Sequence, residues 1–99
     1  MTRTIMRTDA PVYDGRRLFE LKATHGLPLE VAVDRIINVA GFRISWPGFV
    51  IQAREQGWWD FQTVEAVEQA LTDADVDRSY RDEIMHRLEL YIQCNPLNR

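Results

Sequence analysis

The stretch LPLEVAVDRIINVAG, residues 27–41, decides the fold class. Its apolar residues recur at i, i+3, i+4, i+7, i+8 and i+11, the spacing of one buried helical face. They are Leu29, Ala32, Val33, Ile36, Ile37 and Ala40. Pro28 suits a first helical turn, where its missing N–H is not needed, and Gly41 suits the position after a helix end. The stretch predicts an amphipathic helix with one face in a core.

The segment before this helix has the same kind of periodicity. Asp14 is a typical N-cap residue and predicts a first helix from Gly15 to about Thr24, with Gly26 after its end. The apolar stripe of this helix consists of Leu18, Phe19 and Leu21. Residues 1–13 carry no periodicity and are predicted to form an extended arm.

Three more helices are predicted in the second half of the chain. The third begins near Ser45, and the fourth is capped by Asp60. The apolar face of the fourth helix is predicted to contain Phe61, Val64, Val67 and Leu71. Ser79, with Asp82 three residues later, is a variant of the capping box and predicts the start of the fifth helix. The stripe of that helix contains Tyr80, Ile84, Leu88, Tyr91 and Ile92.

No segment predicts a strand, because none has a sustained period-two alternation. Residues 42–44 are expected to form at most a short extended connector. The length of 99 residues and the apolar fraction of 45% suit one small globular domain. The sequence therefore predicts an all-α fold, a compact single-domain bundle of about five short helices over residues 14–99, preceded by the arm. Ile36 and Leu88 are expected in its core.

Membrane and secreted proteins are not expected from this composition. No stretch approaches the roughly 18 consecutive apolar residues of a membrane helix, and no apolar segment follows the basic start as in a secretory signal. The single cysteine, Cys94, has no second cysteine with which to form an internal disulfide, which favours a reducing compartment. We therefore expect a cytoplasmic protein.

Catalysis, metals and cofactors are not indicated either. Cys94 and His86 lie eight residues apart on the predicted fifth helix, which separates them by roughly 12 Å along its axis. This distance is too long for a nucleophile–base pair. One cysteine and two histidines without ligand spacing argue against zinc, and there is no glycine-rich phosphate-binding loop. The sequence therefore predicts a protein that is not an enzyme and that binds no metal and no cofactor.

Charge is distributed unevenly along the chain. The net charge is −3 overall, +3 over residues 1–54 and −6 over residues 55–99. The segment 60–77 has no basic side chain, and its carboxylates are Asp60, Glu65, Glu68, Asp73, Asp75 and Asp77. Such a segment is typical of a surface that selects a basic partner. It also fits a solvated helix face and loop in which Asp60 and Asp77 serve as caps.

Trp58 and Trp59 follow each other at the junction of the third and fourth predicted helices. Because consecutive residues at a junction seldom both point inward, one is expected to fill the core while the other is partly exposed. An exposed tryptophan near a polar rim is a frequent interface hot spot. The alternative is that both tryptophans only brace the helix corner.

Residues 36–51 have the rhythm of a helix-turn-helix, a DNA-binding motif. The second helix, however, starts with Trp46-Pro47-Gly48, and its single basic residue, Arg54, lies near the far end. A net charge of −3 also lacks the usual electrostatic signature of DNA binding. A basic N-terminal arm keeps this hypothesis open; it contains Arg3, Arg7, Arg16 and Arg17.

One stretch of the chain resembles small phage and mobile-element proteins of the anti-CRISPR type, in particular the helical, acidic inhibitors of type I surveillance complexes. It runs from LPLE (27–30) through GWWDF (57–61). These inhibitors share no common fold or catalytic motif, so the resemblance transfers no site residue. It implies a non-enzymatic protein that binds a Cas subunit and blocks recruitment of target DNA. The acidic segment suits this role, because DNA-binding surfaces are rich in Lys and Arg.

The main hypothesis is therefore a protein inhibitor in the bacterial host cytoplasm that binds Cas subunits and makes no direct contact with nucleic acid. Its predicted partner-binding residues are Trp58, Trp59, Glu65, Glu68, Asp73, Asp75 and Asp77. Two other hypotheses stay open. One is a small phage DNA-binding regulator with a helix-turn-helix-like segment, and the other is a phage structural or adaptor protein.

Overall fold

The first helix begins at the residue that its cap predicts. In a computed structural model of the chain, which describes residues 10–97, helix α1 spans Gly15–Ala23. The Asp14 carboxylate accepts a hydrogen bond from the N–H of Arg16 at 3.0 Å. Gly26 follows the helix with a φ of 67°, a left-handed conformation that favours glycine. The predicted first helix and both of its boundary residues are confirmed.

The stretch that decides the fold class forms helix α2, Leu29–Val33, which continues as a π-helix over Asp34–Val39. Five of the six predicted core residues are buried, namely Leu29, Ala32, Val33, Ile36 and Ile37. The prediction is wrong for Ala40, which is exposed. The i→i+5 hydrogen bonds of a π-helix put more residues in each turn, so the apolar face rotates away from the core before Ala40.

Two three-residue strands precede two of the helices. β1 (Val12–Asp14) pairs in parallel with β2 (Arg43–Ser45), and Val12 lies opposite Arg43. The extended connector expected at residues 42–44 is therefore largely a strand. Its pairing was not predicted because three residues are too few for an alternation to show.

Helix α3, Trp46–Glu55, follows β2 directly, as α1 follows β1. Ser45 occupies the predicted N-cap position, but its hydroxyl makes no capping hydrogen bond. The hydroxyl instead accepts from the N–H of Gly15 at 2.9 Å and donates to the carbonyl oxygen of Tyr13 at 3.4 Å. Ser45 therefore ties the starts of α1 and α3 together.

Helix α4 spans Asp60–Asp73, and the prediction that Asp60 caps it is wrong. Trp59 is the N-cap residue, and its N–H donates to the side-chain oxygen of Gln62 at 2.7 Å. The carboxylate of Asp60, the first residue of the helix, pairs instead with the guanidinium of Arg54.

Helix α5 spans Arg78–Cys94, two residues longer at its start than predicted. Its N-cap is Asp77, whose carboxylate accepts from the N–H of Tyr80 at 3.4 Å. Ser79 and Asp82 therefore lie inside the helix and form no capping box. The alternative interpretation of Asp77 as a helix cap is confirmed.

All five helices contribute to one apolar core. Phe49 lies near its centre and makes edge-to-face contacts with Phe19 and Trp46, with ring centroids 5.3 and 5.9 Å apart. Of the five residues in the predicted stripe of α5, Tyr80, Ile84 and Leu88 are buried, and Tyr91 and Ile92 are half-buried against the core. The predicted all-α single domain is confirmed, with the short strand pair as an addition. None of the helices in residues 10–97 is long and apolar enough to cross a membrane.

Truncation of the two predicted core residues is expected to destabilise the fold strongly. Ile36 is 8% exposed and Leu88 is 1% exposed, so alanine at either position leaves a cavity in the core. We expect each substitution to lower the free energy of unfolding by about 2–5 kcal/mol, measured by urea denaturation. Leu90→Ala is the matched control, because Leu90 lies on the same helix but is largely exposed. Equal losses for Leu88→Ala and Leu90→Ala would contradict the assignment of the core face.

Candidate protein-binding surface

Helix α4 presents an exposed stripe of mixed aromatic and acidic character. Four residues along it are spaced i, i+4, i+7 and i+11, and all four are exposed: Phe61, Glu65, Glu68 and Thr72. This spacing places them on one face of the helix. The opposite side of α4 carries the buried residues Thr63, Val67, Ala70 and Leu71. We call Trp59, Phe61, Glu65 and Glu68 the α4 ridge.

Phe61 was predicted in the core, and that prediction is wrong, since 64% of the residue is exposed. Its place on the inner face is taken by Thr63, which is fully buried. The Thr63 hydroxyl donates to the carbonyl oxygen of Trp59 at 3.5 Å, so burial does not leave this hydroxyl without a hydrogen bond. Thr63, Val67 and Leu71 are spaced i, i+4 and i+8, which is the spacing of the buried face of α4. The sequence therefore predicts this face correctly only if Thr63 is counted as a core residue.

The two adjacent tryptophans have different environments, as expected. Trp58 packs edge-to-face against Phe19, with ring centroids 5.1 Å apart, and the ammonium group of Lys22 lies 5.5 Å from the centroid of its ring. Trp59 is 55% exposed. Trp58 therefore anchors the corner to the core, while Trp59 exposes apolar area to solvent.

A bidentate ion pair holds the corner between α3 and α4. The Arg54 guanidinium donates from Nε and Nη2 to the two carboxylate oxygens of Asp60, at 3.0 and 3.1 Å. The Arg54 side chain is only 12% exposed, which limits screening by solvent. The hydrogen bond to Asp60 raises the pKa of Arg54 above its usual value, so the guanidinium keeps its positive charge. The pair fixes the direction of the α4 start, and with it the positions of Trp59 and Phe61.

Beside the α4 ridge, a groove of about 840 Å³ runs between α1 and α4. Its lining is polar and includes one basic and two acidic side chains; it consists of Lys22, Trp58, Gln62, Glu65, Ala66, Glu68, Gln69 and Thr72. The structure thus brings together three of the predicted partner-binding residues, namely Trp58, Glu65 and Glu68. Carboxylates beside an aromatic ring are suited to receive a Lys or Arg side chain.

The three predicted aspartates lie at the other end of α4. The helix has 14 residues and is therefore about 21 Å long, which separates these aspartates from the tryptophan corner. Asp73 is exposed and accepts a hydrogen bond from Gln69 at 2.9 Å. Asp75 lies in the following turn with a φ of 55°, and Asp77 caps α5. Asp73 and Asp75 extend the negative surface, whereas Asp77 has a structural role.

The helix-turn-helix hypothesis places α3 in the position of a DNA-reading helix. Phe49, Val50 and Ala53 of α3 are buried in the core. Arg16 and Arg17 lie in helix α1 and not in an arm, as the hypothesis had them. Arg54 is paired with Asp60, and Arg16 forms an ion pair with Glu55 at 3.7 Å. Arg3 and Arg7 lie outside the described residues. Within residues 10–97, the outer face of α3 therefore offers little positive charge to phosphates.

The side chains that could bind a metal ion are the histidines, the cysteine and the carboxylates, and the sequence predicts no metal site among them. In the part of the chain that the structure describes, no three of these side chains converge to form a candidate metal site. Cys94 is exposed at the end of α5.

No protein-family model, no curated protein and no solved structure matches the chain. The surface described above is therefore the basis for a functional proposal.

Proposed function

We propose that the chain is a non-enzymatic protein inhibitor that occupies a basic, nucleic-acid-binding surface of another protein with the α4 ridge. The observation that carries the proposal is the exposed aromatic and acidic face of α4. Trp59 and Phe61 expose large apolar side chains at the start of α4, and Glu65 and Glu68 follow Phe61 along the same helix face, in a segment without a basic residue. Exposed tryptophan side chains are enriched among interface hot spots, and apolar area of this kind is used as an anchor by protein interfaces.

The charge of the ridge selects the chemistry of the partner. Surfaces that bind nucleic acid carry Lys and Arg positioned for phosphate groups, and exposed carboxylates compete for the same side chains. The aromatic residues add buried apolar area that salt does not screen, which makes the complex less sensitive to salt than a purely ionic one.

As the specific target we propose the type I CRISPR–Cas surveillance complex in the cytoplasm of a bacterial host. Two arguments support this choice. The segment from residue 27 to residue 61 resembles the acidic helical inhibitors of these complexes, and their Cas subunits bind target DNA through basic surfaces. In this proposal the chain contacts Cas subunits and does not bind DNA itself.

A competition experiment with purified components tests the proposal. Fluorescence anisotropy measures binding of labelled target DNA to a purified type I surveillance complex, with and without an equimolar amount of the chain. We expect loss of DNA binding, and co-elution of the chain with the complex in size-exclusion chromatography. Unchanged DNA binding without co-elution would overturn the proposed target. Salt-sensitive binding of the chain to the DNA alone would instead support the regulator hypothesis.

A further inference from the structure

A second concave site, remote from the α4 ridge along the chain, lies between the strand pair and helix α5. This cleft has a volume of about 160 Å³. Its apolar lining is formed by Val12, Ile44, Trp46 and Ile84, and its polar lining by Arg43, Ser45, Tyr80, Glu83 and Arg87. The α5 residues of this set are spaced i, i+3, i+4 and i+7, so they form one face of the helix. The cleft therefore combines an apolar wall with two guanidinium groups.

Arg43 carries the strongest indication of a ligand. Its Nε atom is shielded from solvent and has no hydrogen-bond acceptor among the described residues. Buried donors in folded proteins almost always have an acceptor, so this N–H is one that a bound group would satisfy. The Nε–H and a neighbouring Nη–H of arginine form a planar fork that matches the two oxygens of a carboxylate.

The charges that line the cleft suit a ligand with one negative charge. The lining contains the guanidinium groups of Arg43 and Arg87 and one carboxylate, that of Glu83, which pairs with Arg87 at 2.8 Å, so its net charge is +1. Glu83 repels a doubly charged anion such as hydrogen phosphate more strongly than a carboxylate, which carries a single charge. The lining therefore favours a monoanion over a dianion.

Tyr80 adds a neutral donor to the site. Burial raises the pKa of the Tyr80 phenol, and the positive charges of Arg43 and Arg87 offset this only in part. The phenol therefore keeps its proton at neutral pH. A protonated phenol can donate a hydrogen bond to a carboxylate oxygen, and it adds no negative charge that would repel it.

We propose that this cleft binds a small monocarboxylate with a short branched apolar body, of the size of isovalerate. The carboxylate pairs with the Arg43 guanidinium, which turns towards the cleft to present its Nε–H. The apolar body packs against Ile44, Trp46 and Ile84. The volume of the cleft lies below that of sites for drug-sized ligands, which restricts the occupant to a few non-hydrogen atoms.

Titration of the whole chain with isovalerate, followed by NMR of the arginine Nε–H groups, tests this proposal. We expect saturable binding with a Kd of about 1 mM, and slower hydrogen exchange of the Arg43 Nε–H in the complex. The neutral isostere isovaleramide and inorganic phosphate are each expected to bind at least about 10-fold more weakly. Equal binding of isovaleramide, tighter binding of phosphate, or no saturation by isovalerate would overturn the proposal.

Two variants change the affinity in opposite directions. Arg43→Gln removes the charged fork and is expected to weaken binding at least about 10-fold, while Glu83→Gln frees Arg87 and is expected to strengthen it about 3-fold. Arg43→Lys retains the charge but not the fork, and it should also bind weakly. Thermal melts without ligand establish that each variant is folded. Wild-type affinity in a folded Arg43→Gln variant would contradict the assignment of Arg43.

Discussion

Replacement of Gly15 with alanine should lower the free energy of unfolding by about 3 kcal/mol or more. A Cβ atom at this position would lie 2.6 Å from the backbone nitrogen of Phe49 and would also overlap the carbonyl oxygen of Ser45. Both neighbours are main-chain atoms of helix α3 or its cap. No side-chain rotation can make room, so α1 and α3 must separate.

The separation would affect more than one contact. The N–H of Gly15 donates to the hydroxyl of Ser45, and this bond joins the two strand–helix junctions. Behind it, Phe19 of α1 packs on Phe49 of α3 in the core. Because both contacts join the same pair of helices, a shift that relieves the clash weakens the two of them together.

Thermal melts followed by circular dichroism measure this effect. For a domain of this size, the expected loss corresponds to a fall in Tm of about 12 °C or more. Gly41→Ala is the matched control, because Gly41 has a φ of 74° but nothing lies within 4 Å of its added Cβ. The control should lose only about 1 kcal/mol, the penalty of the left-handed backbone. A Gly15→Ala protein that melts no lower than the control would show that α1 and α3 do not approach so closely.

Gly15 illustrates which features the sequence could not predict. Helix α2 and its buried face follow from local periodicity, and the Asp14 cap follows from local chemistry. The need for glycine at position 15 arises from Ser45 and Phe49, which lie at least 30 residues away in the chain. A contact of this kind leaves no pattern in the neighbouring sequence.

The errors on α4 have the same origin. Asp60 and Phe61 were assigned from residue type, as a cap and as a core residue. Arg54 competes for the carboxylate of Asp60, and Thr63 replaces Phe61 on the inner face because its hydroxyl finds a backbone acceptor. The acidic segment and one exposed tryptophan at the corner follow from the sequence, but the exposure of Phe61 required the three-dimensional structure.

Reversal of the ridge charges is expected to abolish inhibition. The double variant Glu65→Lys/Glu68→Lys should bind the type I complex at least about 100-fold more weakly, because two attractive contacts with a basic surface become repulsive. Both side chains are exposed, so helical circular dichroism and Tm should stay close to the wild type. Charge reversal at Asp73, Asp75 and Asp77 is a poorer test of binding. Asp77 caps α5, and loss of this cap would itself destabilise the protein by about 1 kcal/mol.

A matched control distinguishes the effect of where the reversed charges lie from the effect of the change in net charge. Asp82→Lys/Glu89→Lys makes the same change in net charge at two exposed residues of α5. If the α4 ridge is the binding surface, the control variant should retain inhibition to within a few-fold, and the ridge variant should not. Similar losses in both variants would mean that overall charge, and not the ridge, determines binding.

The aromatic residues of the ridge provide an independent test of the same surface. Trp59→Ala and Phe61→Ala remove exposed side chains and should change the free energy of unfolding little, yet each should weaken binding about 30-fold if it is a hot spot. Their contribution should persist at high salt, whereas the effect of Glu65 and Glu68 should shrink. Competition titrations at two salt concentrations resolve the two components. Inhibition that survives both the charge reversal and the aromatic truncations would place the contact elsewhere on the molecule and refute the α4 ridge as its site.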